Sequence, residues 1–109
     1  MERQWVSWDK IEEVMVKAFM HVGIPEEDAY LCADVLMESD RRGIESHGVN
    51  RFKPIYIDRI MAGIQQPVTK IDVLKETATT AVLDANDGMG MVASHKAMSL
   101  IFFGLLKTQ

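Results

Sequence analysis

The sequence lacks the features that mark several large classes of protein. Its 109 residues include one cysteine, Cys32, which cannot form an internal disulfide, so a reducing cytoplasm is the expected location. The formal net charge of −4 gives no electrostatic reason to expect nucleic acid or an anionic membrane as a partner. The longest apolar run, residues 100–106, is far shorter than the ~20 residues that span a bilayer. The N-terminus has no apolar core of signal-peptide length.

Apolar residues nevertheless make up 48% of the chain, which is enough for one domain with a core. In the N-terminal half they recur at i, i+3, i+4 and i+7, a spacing that predicts helices with one buried face. The predicted helices cover residues 8–22, 25–42 and 53–62. Each is followed by a glycine placed to end it, at Gly23, Gly43 and Gly63. Asp9 and Glu12 have the spacing of a capping box at the start of the first helix.

The C-terminal half has a different periodicity. Residues 70–76 and 79–85 are rich in Val, Ile, Thr and Leu, which predicts two strands. Thr77-Ala78 is a candidate turn between them, but it lacks the glycine of a tight hairpin, so the register is left open. A fourth helix is predicted over residues 91–103. The change of period near Lys70 predicts an α+β fold: three N-terminal helices, a strand pair and a further helix.

The turn before the fourth helix contains Gly88-Met89-Gly90. Because it follows a predicted strand and precedes a predicted helix, it invites comparison with a phosphate-binding loop. It lacks the third glycine of the dinucleotide fingerprint, and a purely structural turn is the favoured interpretation.

The clearest candidate site lies between the second and third predicted helices. Ser46-His47-Gly48 places a histidine on a presented turn, where it can titrate near neutral pH and exchange protons with a ligand. Arg51, four residues on, can hold a carboxylate through two parallel hydrogen bonds. The alternative is that Gly43 is only a helix cap, Gly48 only a turn residue, and both polar side chains ordinary surface groups.

Two further residues have open or structural interpretations. Tyr56 lies five residues beyond Arg51, so it either faces back toward the turn or is a core tyrosine with its hydroxyl at the surface. Cys32 falls on the buried stripe of the second helix, where inert packing is expected. No set of metal ligands is predicted.

The segment RRGIESHGVNRF, residues 41–52, followed by Pro54, Tyr56, Arg59-Ile60 and Gly63, resembles one family closely. This is the malate/L-lactate dehydrogenase family with the non-Rossmann fold, which includes ureidoglycolate and sulfolactate dehydrogenases. The resemblance runs from about Ile11 to about Ile101. It implies that residues 1–66 are an N-terminal helical segment with the Ser-His-Gly motif, and residues 67–109 the start of the family's sheet-containing domain.

The resemblance also implies an activity and roles for the candidate residues. Family members transfer a hydride between NAD or NADP and a small 2-hydroxy or 2-keto carboxylate. His47 would be the acid/base or the polariser of the substrate oxygen, and Ser46 would orient it or bond the substrate. Arg51 would bind the carboxylate, and Tyr56 would support the site. The expected assembly is a homo-oligomer such as a dimer.

The resemblance fades from about Phe102. Family members are considerably longer, and the resemblance places most of the cofactor site in their later segments. The final residues, 102–109, are typical of a truncation or an altered reading frame, so little turnover is expected of this chain alone. The alternative function is a catalytically inactive remnant that self-associates or binds a ligand.

Overall fold

The computed structural model describes residues 4–107, with side chains described for residues 4–104. Within this range the helices are α1 (Trp8–His21), α2 (Glu26–Arg41), α3 (Asp58–Met61) and α4 (Gly90–Lys107). Two strands, β1 (Asp72–Glu76) and β2 (Ala81–Asp84), form an antiparallel sheet between α3 and α4. The predicted α+β arrangement of three helical segments, a strand pair and a further helix is confirmed.

Helices α1 and α2 pack together and form most of the core. Their facing stripes bury Met15, Phe19, Cys32, Leu36 and Met37 almost completely. The cap of α1 differs from the one predicted, because the Ser7 hydroxyl accepts the hydrogen bond from the Lys10 amide at 3.2 Å. Asp9 instead lies inside the first turn. Ser7 is the residue with extended backbone just before the helix, which is the position that a capping side chain needs.

A glycine ends each of the three N-terminal helical segments, as predicted. After α2, the Gly43 amide donates to the Asp40 carbonyl at 3.0 Å and the Ile44 amide donates to the Ser39 carbonyl at 2.8 Å. Gly43 has φ +78°, which is costly for a residue with a side chain. Gly23 and Gly63 repeat this pattern of bonds and positive φ.

The third helical segment is less regular than predicted. Phe52–Ile57 is a π-helix, and only Asp58–Met61 is α-helical. Pro54 explains part of the difference, because it has no amide hydrogen and its ring crowds the carbonyl four residues before it. The π-helix carries Phe52 against the core, with its ring edge-on to Phe19 at a centroid distance of 5.0 Å.

The hairpin pairs Asp72 with Asp84 and Glu76 with Ala81, and a bulge lies between Val73 and Lys75. Its loop contains no glycine. Instead, the Thr77 hydroxyl accepts hydrogen bonds from the Thr79 and Thr80 amides at 3.3 and 3.0 Å. A threonine side chain therefore closes the loop whose register the sequence left open.

Helix α4 joins the second half of the chain to the first. Its beginning contacts α2, and Met89 and Val92 enter the same core. Farther along, a set of large apolar side chains is exposed: Met98, Leu100, Ile101, Phe102 and Phe103. Leu105 and Leu106, which continue this apolar stretch of the sequence, lie outside the described side chains. In the described part of the chain, no helix is long and apolar enough to cross a bilayer.

Candidate active site

The candidate site is the histidine turn, residues 45–51, which follows the glycine cap of α2. It consists of two short 3₁₀ turns, Glu45–His47 and Val49–Arg51, joined at Gly48. Ser46 Oγ lies 2.8 Å from His47 Nδ1, so the hydroxyl is hydrogen-bonded to the ring. Both side chains are exposed, which leaves the far nitrogen of the imidazole, Nε2, facing outward from that bond. The structure thus joins two of the predicted site residues directly.

Arg51 belongs to the same arrangement. Its Nε donates a hydrogen bond to the Ser46 carbonyl. Within the described part of the chain, no acceptor is bonded to either of its terminal nitrogens. These two nitrogens form the planar fork that suits a carboxylate.

The neighbouring arginines are engaged elsewhere. Arg42 Nε donates to a Glu38 carboxylate oxygen at 2.8 Å, and Arg41 Nη1 to the other oxygen at 3.3 Å. These hydrogen bonds, with that from Arg42 the stronger, hold the pKa of Glu38 below its ordinary value. Arg41 also lies over the Trp8 ring, 5.6 Å from its centroid. Arg51 is therefore the better placed of these three cations to meet a ligand at the turn.

Asp40 is a site residue that the sequence analysis missed. Its Oδ2 accepts a hydrogen bond from the Val49 amide at 3.0 Å, across nine residues of chain. Its other oxygen occupies the space that a Cβ on Gly48 would need, so any side chain there would overlap the carboxylate. One signal was available: an aspartate in the last turn of a helix opposes the helix dipole and calls for another partner.

Tyr56 lies at the margin of the core. Its ring is edge-on to Phe19, with centroids 6.5 Å apart and planes at 74°. The residue is half-buried, and no hydrogen bond of its hydroxyl is found among the described residues. Its supporting role at the histidine turn stays a prediction.

The glycine turn, residues 85–90, has two of its backbone amides bonded within the protein. The Gly88 amide donates to the Ala85 carbonyl at 2.9 Å, and the Met89 amide donates to Thr69 Oγ1 at 2.9 Å. A Cβ on Gly88 would lie 2.7 Å from Thr69 Cγ2, so the glycine is required by close packing. These two amides are already bonded, which favours the structural interpretation of the turn.

The remaining polar groups suggest no second centre. Burial, followed by the negative charge of Asp28, raises the pKa of the Cys32 thiol to about 12, so the thiol is unreactive near neutral pH. In the part of the chain that the structure describes, no group of three or more potential ligands is arranged to hold a metal ion.

A shallow apolar groove beside the histidine turn is lined by residues that include Val14, Met15, Val49 and Phe52.

Known proteins share this arrangement of elements. A family model described as malate/L-lactate dehydrogenase matches residues 6–103. Malate dehydrogenase of Pyrococcus abyssi is 40% identical over 100 residues, which make up 92% of this chain and 27% of that protein. L-sulfolactate dehydrogenase of Methanocaldococcus jannaschii is 39% identical over 89 residues, 82% of this chain and 26% of that protein.

A solved structure gives the same result. Malate dehydrogenase from Entamoeba histolytica matches with a TM-score of 0.90 and 40% identity, over 97% of this chain and 29% of that one. The chain therefore spans between a quarter and a third of the length of these relatives.

Proposed function

The chain belongs to the malate/L-lactate dehydrogenase family, and on that basis we propose that it forms the substrate-side part of an oxidoreductase for small 2-hydroxy and 2-keto carboxylates. The observation that carries this proposal is the hydrogen-bonded set Ser46, His47 and Arg51, in which a proton-transfer group lies beside a cation. Residues 1–66 would supply this set, and residues 67–109 would begin the sheet-containing domain.

His47 would move a proton at the substrate oxygen. In the direction of reduction, an imidazolium would give its Nε2 proton to the keto oxygen and become a neutral imidazole, with Nδ1–H still donating to Ser46 Oγ. In the direction of oxidation, that neutral imidazole would accept the proton of the substrate hydroxyl at Nε2 and become an imidazolium. Ser46 Oγ would accept from Nδ1–H in both directions, which holds the ring in the tautomer that exchanges its proton at Nε2.

Arg51 would fix the other end of the substrate. Its Nε is held by the Ser46 carbonyl, which orients the guanidinium and leaves two terminal nitrogens for a carboxylate. A 2-keto acid carries its carboxylate next to the reacting carbon, so one short turn can contact both groups. This geometry favours substrates with adjacent keto and carboxylate groups.

The family resemblance implies NAD or NADP as the hydride carrier. The glycine turn offers the phosphates of this carrier neither its Gly88 amide nor its Met89 amide, because both bond within the protein. We therefore assign only the proton and carboxylate chemistry to the described residues. Negligible turnover is expected of the 109-residue chain alone.

Nuclear magnetic resonance of the purified chain tests the substrate side. Pyruvate should move the resonances of His47 and Arg51, whereas hydroxyacetone, which lacks the carboxylate, should have little effect. Arg51→Lys should weaken the pyruvate response, and Arg59→Lys, an exposed arginine on α3, is the matched control. If pyruvate leaves the His47 and Arg51 resonances of the parent chain unchanged, the proposal is contradicted. Cofactor binding is measured in parallel by titrating NADH and NADPH.

Self-association is a second candidate function, favoured by the exposed apolar side chains of α4. Exposed apolar patches of more than a few hundred Å² usually mark interfaces. We propose that a second copy of the chain covers this helix. Sedimentation should show oligomers at protein concentrations on the order of tens of micromolar. Phe102→Ser should reduce association more than Val73→Ser, which changes an exposed apolar residue of β1. A parent chain that sediments only as a monomer would contradict this proposal.

A further inference from the structure

We propose that Asp40 is a positioning residue for His47: its carboxylate holds the backbone that follows the histidine and so fixes the direction of the imidazole. The functional meaning of this contact rests on the proposed role of His47 in proton transfer. The contact itself is a feature of the fold and can be tested without any ligand.

The position of Asp40 is unfavourable for its own helix. It lies in the last turn of α2, where the partial negative charge of the helix end repels a carboxylate. Two arginines follow it directly, yet within the described residues both of them form their ion pairs with Glu38, and Arg41 also with Asp34. The Asp40 carboxylate instead reaches across to the histidine turn. The contact of this carboxylate with the histidine turn, and not a contact within α2, therefore explains why position 40 carries an acid.

The carboxylate makes two contacts on the C-terminal side of His47. One oxygen accepts the Val49 amide, and the other lies against Gly48 where a Cβ would be. Gly48 is buried although its neighbour His47 is exposed. The carboxylate fills the space of a Cβ on Gly48, so this contact by itself requires glycine here.

The N-terminal side of His47 is held as well. Arg51 Nε donates to the Ser46 carbonyl, and Ser46 Oγ bonds the ring at Nδ1. The histidine therefore lies between two fixed peptide groups, one held by Arg51 and one by Asp40. A backbone held on both sides, together with the Ser46 bond to the ring, keeps the reacting nitrogen in one direction, which is what proton transfer to a bound substrate requires.

The test is the resonance of the His47 ring in Asp40→Ala, with His21 and His95 as internal references. These two histidines are exposed and lie on α1 and α4. We expect the His47 signals to move while both references stay. Hydrogen exchange of the Val49 amide should accelerate at least about tenfold, the effect of losing a hydrogen bond to a charged acceptor. Asp34→Ala, an exposed acid of the same helix, is the matched control and should change neither signal.

Conservative and paired variants separate positioning from general stability. Asp40→Asn keeps an oxygen that can accept the Val49 amide, so it should return the His47 signals most of the way to those of the parent. Gly48→Ala should displace the carboxylate and move the His47 signals in the same way. Once Asp40→Ala has removed the carboxylate, adding Gly48→Ala should change them little further, because the two variants break one contact.

Unchanged His47 signals in folded Asp40→Ala would overturn the proposal. It would also be overturned if the changes in the His47 signals caused by Asp40→Ala and by Gly48→Ala simply added in the double variant. If Asp40→Ala does not fold, Gly48→Ala decides, and unchanged His47 signals in that variant overturn the proposal. A pyruvate titration of the parent keeps the two hypotheses apart. Absence of binding would remove the proposed function while leaving the Asp40 contact to be judged by the ring resonances.

Discussion

Two turns of this molecule use the same local device for different ends. In the histidine turn, Gly48 is pressed against Asp40, and the amide of the next residue donates to that side chain. In the glycine turn, Gly88 is pressed against Thr69, and again the following amide donates to that side chain. In each case, an acceptor from an earlier segment fixes a glycine and the residue after it.

The two turns differ in what the fixed backbone carries. After Gly88 comes Met89, which is fully buried, and its acceptor Thr69 is neutral and only 5% exposed. Beside Gly48 lies His47, which is exposed, and the acceptor of the Val49 amide is the half-buried, charged carboxylate of Asp40. A neutral hydroxyl can be sealed into a core at little cost, whereas a carboxylate needs water. One turn therefore anchors the core, and the other is suited to presenting a reactive side chain.

The largest expected effect tests whether the histidine turn is the reactive one. In a full-length family enzyme that carries this segment, His47→Ala should lower kcat about 10²–10⁴-fold, because a positioned proton donor acts in the transition state. His95→Ala, at an exposed histidine of α4, is the matched control and should leave kcat near that of the parent. Steady-state kinetics with a 2-keto acid provides the measurement. Equal kinetics for the two variants would remove the functional difference between the turns.

The next effect concerns stability and should be larger in the glycine turn. Gly88→Ala brings a Cβ within 3 Å of Thr69 and of the Ala85 carbonyl oxygen, so it should destabilise the fold by about 1–3 kcal/mol. Gly48→Ala should cost less, because the Asp40 side chain can turn toward water. Urea denaturation compares the two variants. Gly90→Ala, where a Cβ meets no atom within 4 Å, is the control. Equal losses at Gly48 and Gly88 would contradict the distinction.

Removing the neutral acceptor should have an effect of similar size. Thr69→Val deletes the hydroxyl and leaves the buried Met89 amide without its partner, at a cost of roughly 1–3 kcal/mol. Thr69→Ser keeps the hydroxyl and should retain more of the stability. Urea denaturation and hydrogen exchange of the Met89 amide measure both changes. The idea fails if the serine variant is no more stable than the valine variant.

The smallest effect concerns substrate binding at the histidine turn. Arg51→Lys keeps the charge but loses the planar fork, so it should raise KM for a 2-keto acid about tenfold, as expected for one lost charge-assisted hydrogen bond. The change in kcat should be smaller, which separates this variant from His47→Ala. A keto substrate without a carboxylate should be affected little. If the KM of Arg51→Lys is within about twofold of that of the parent, a difference of ~0.4 kcal/mol, Arg51 is an ordinary surface residue with no role in carboxylate binding.

The fold was largely predictable because its signals are local. Apolar residues at helical spacing specified α1 and α2, and the glycines after them specified where they end. The family resemblance was also readable in residues 41–52, and the match over residues 6–103 confirms it. What failed was finer local detail. Ser7 caps α1 through its backbone position, and the segment around Pro54 takes a π-helical form, neither of which periodicity reports.

The candidate site was predictable only in part, for a physical reason. Ser46, His47 and Arg51 interact within one turn, so their spacing in the sequence already implies contact. Asp40 reaches the turn only because the Gly43 cap folds the chain back onto the end of α2. A contact that depends on how a turn redirects the chain produces no periodic pattern in the sequence, so the spacing of residues does not predict it.

The cap at Gly43 also has a consequence for handedness. Its φ of +78° belongs to the mirror-image region of backbone space, and a Cβ built there meets no atom within 4 Å. The only obstacle to a side chain is therefore the chirality of the natural amino acids. In a semisynthetic chain, a D-alanine at this position would favour the positive φ and restrict the unfolded chain, a gain of about 0.4–1 kcal/mol provided that its methyl group, which replaces the other glycine hydrogen, meets no neighbour. The direction of the chain from α2 into the histidine turn is thus set by a glycine in the backbone conformation that D-amino acids prefer.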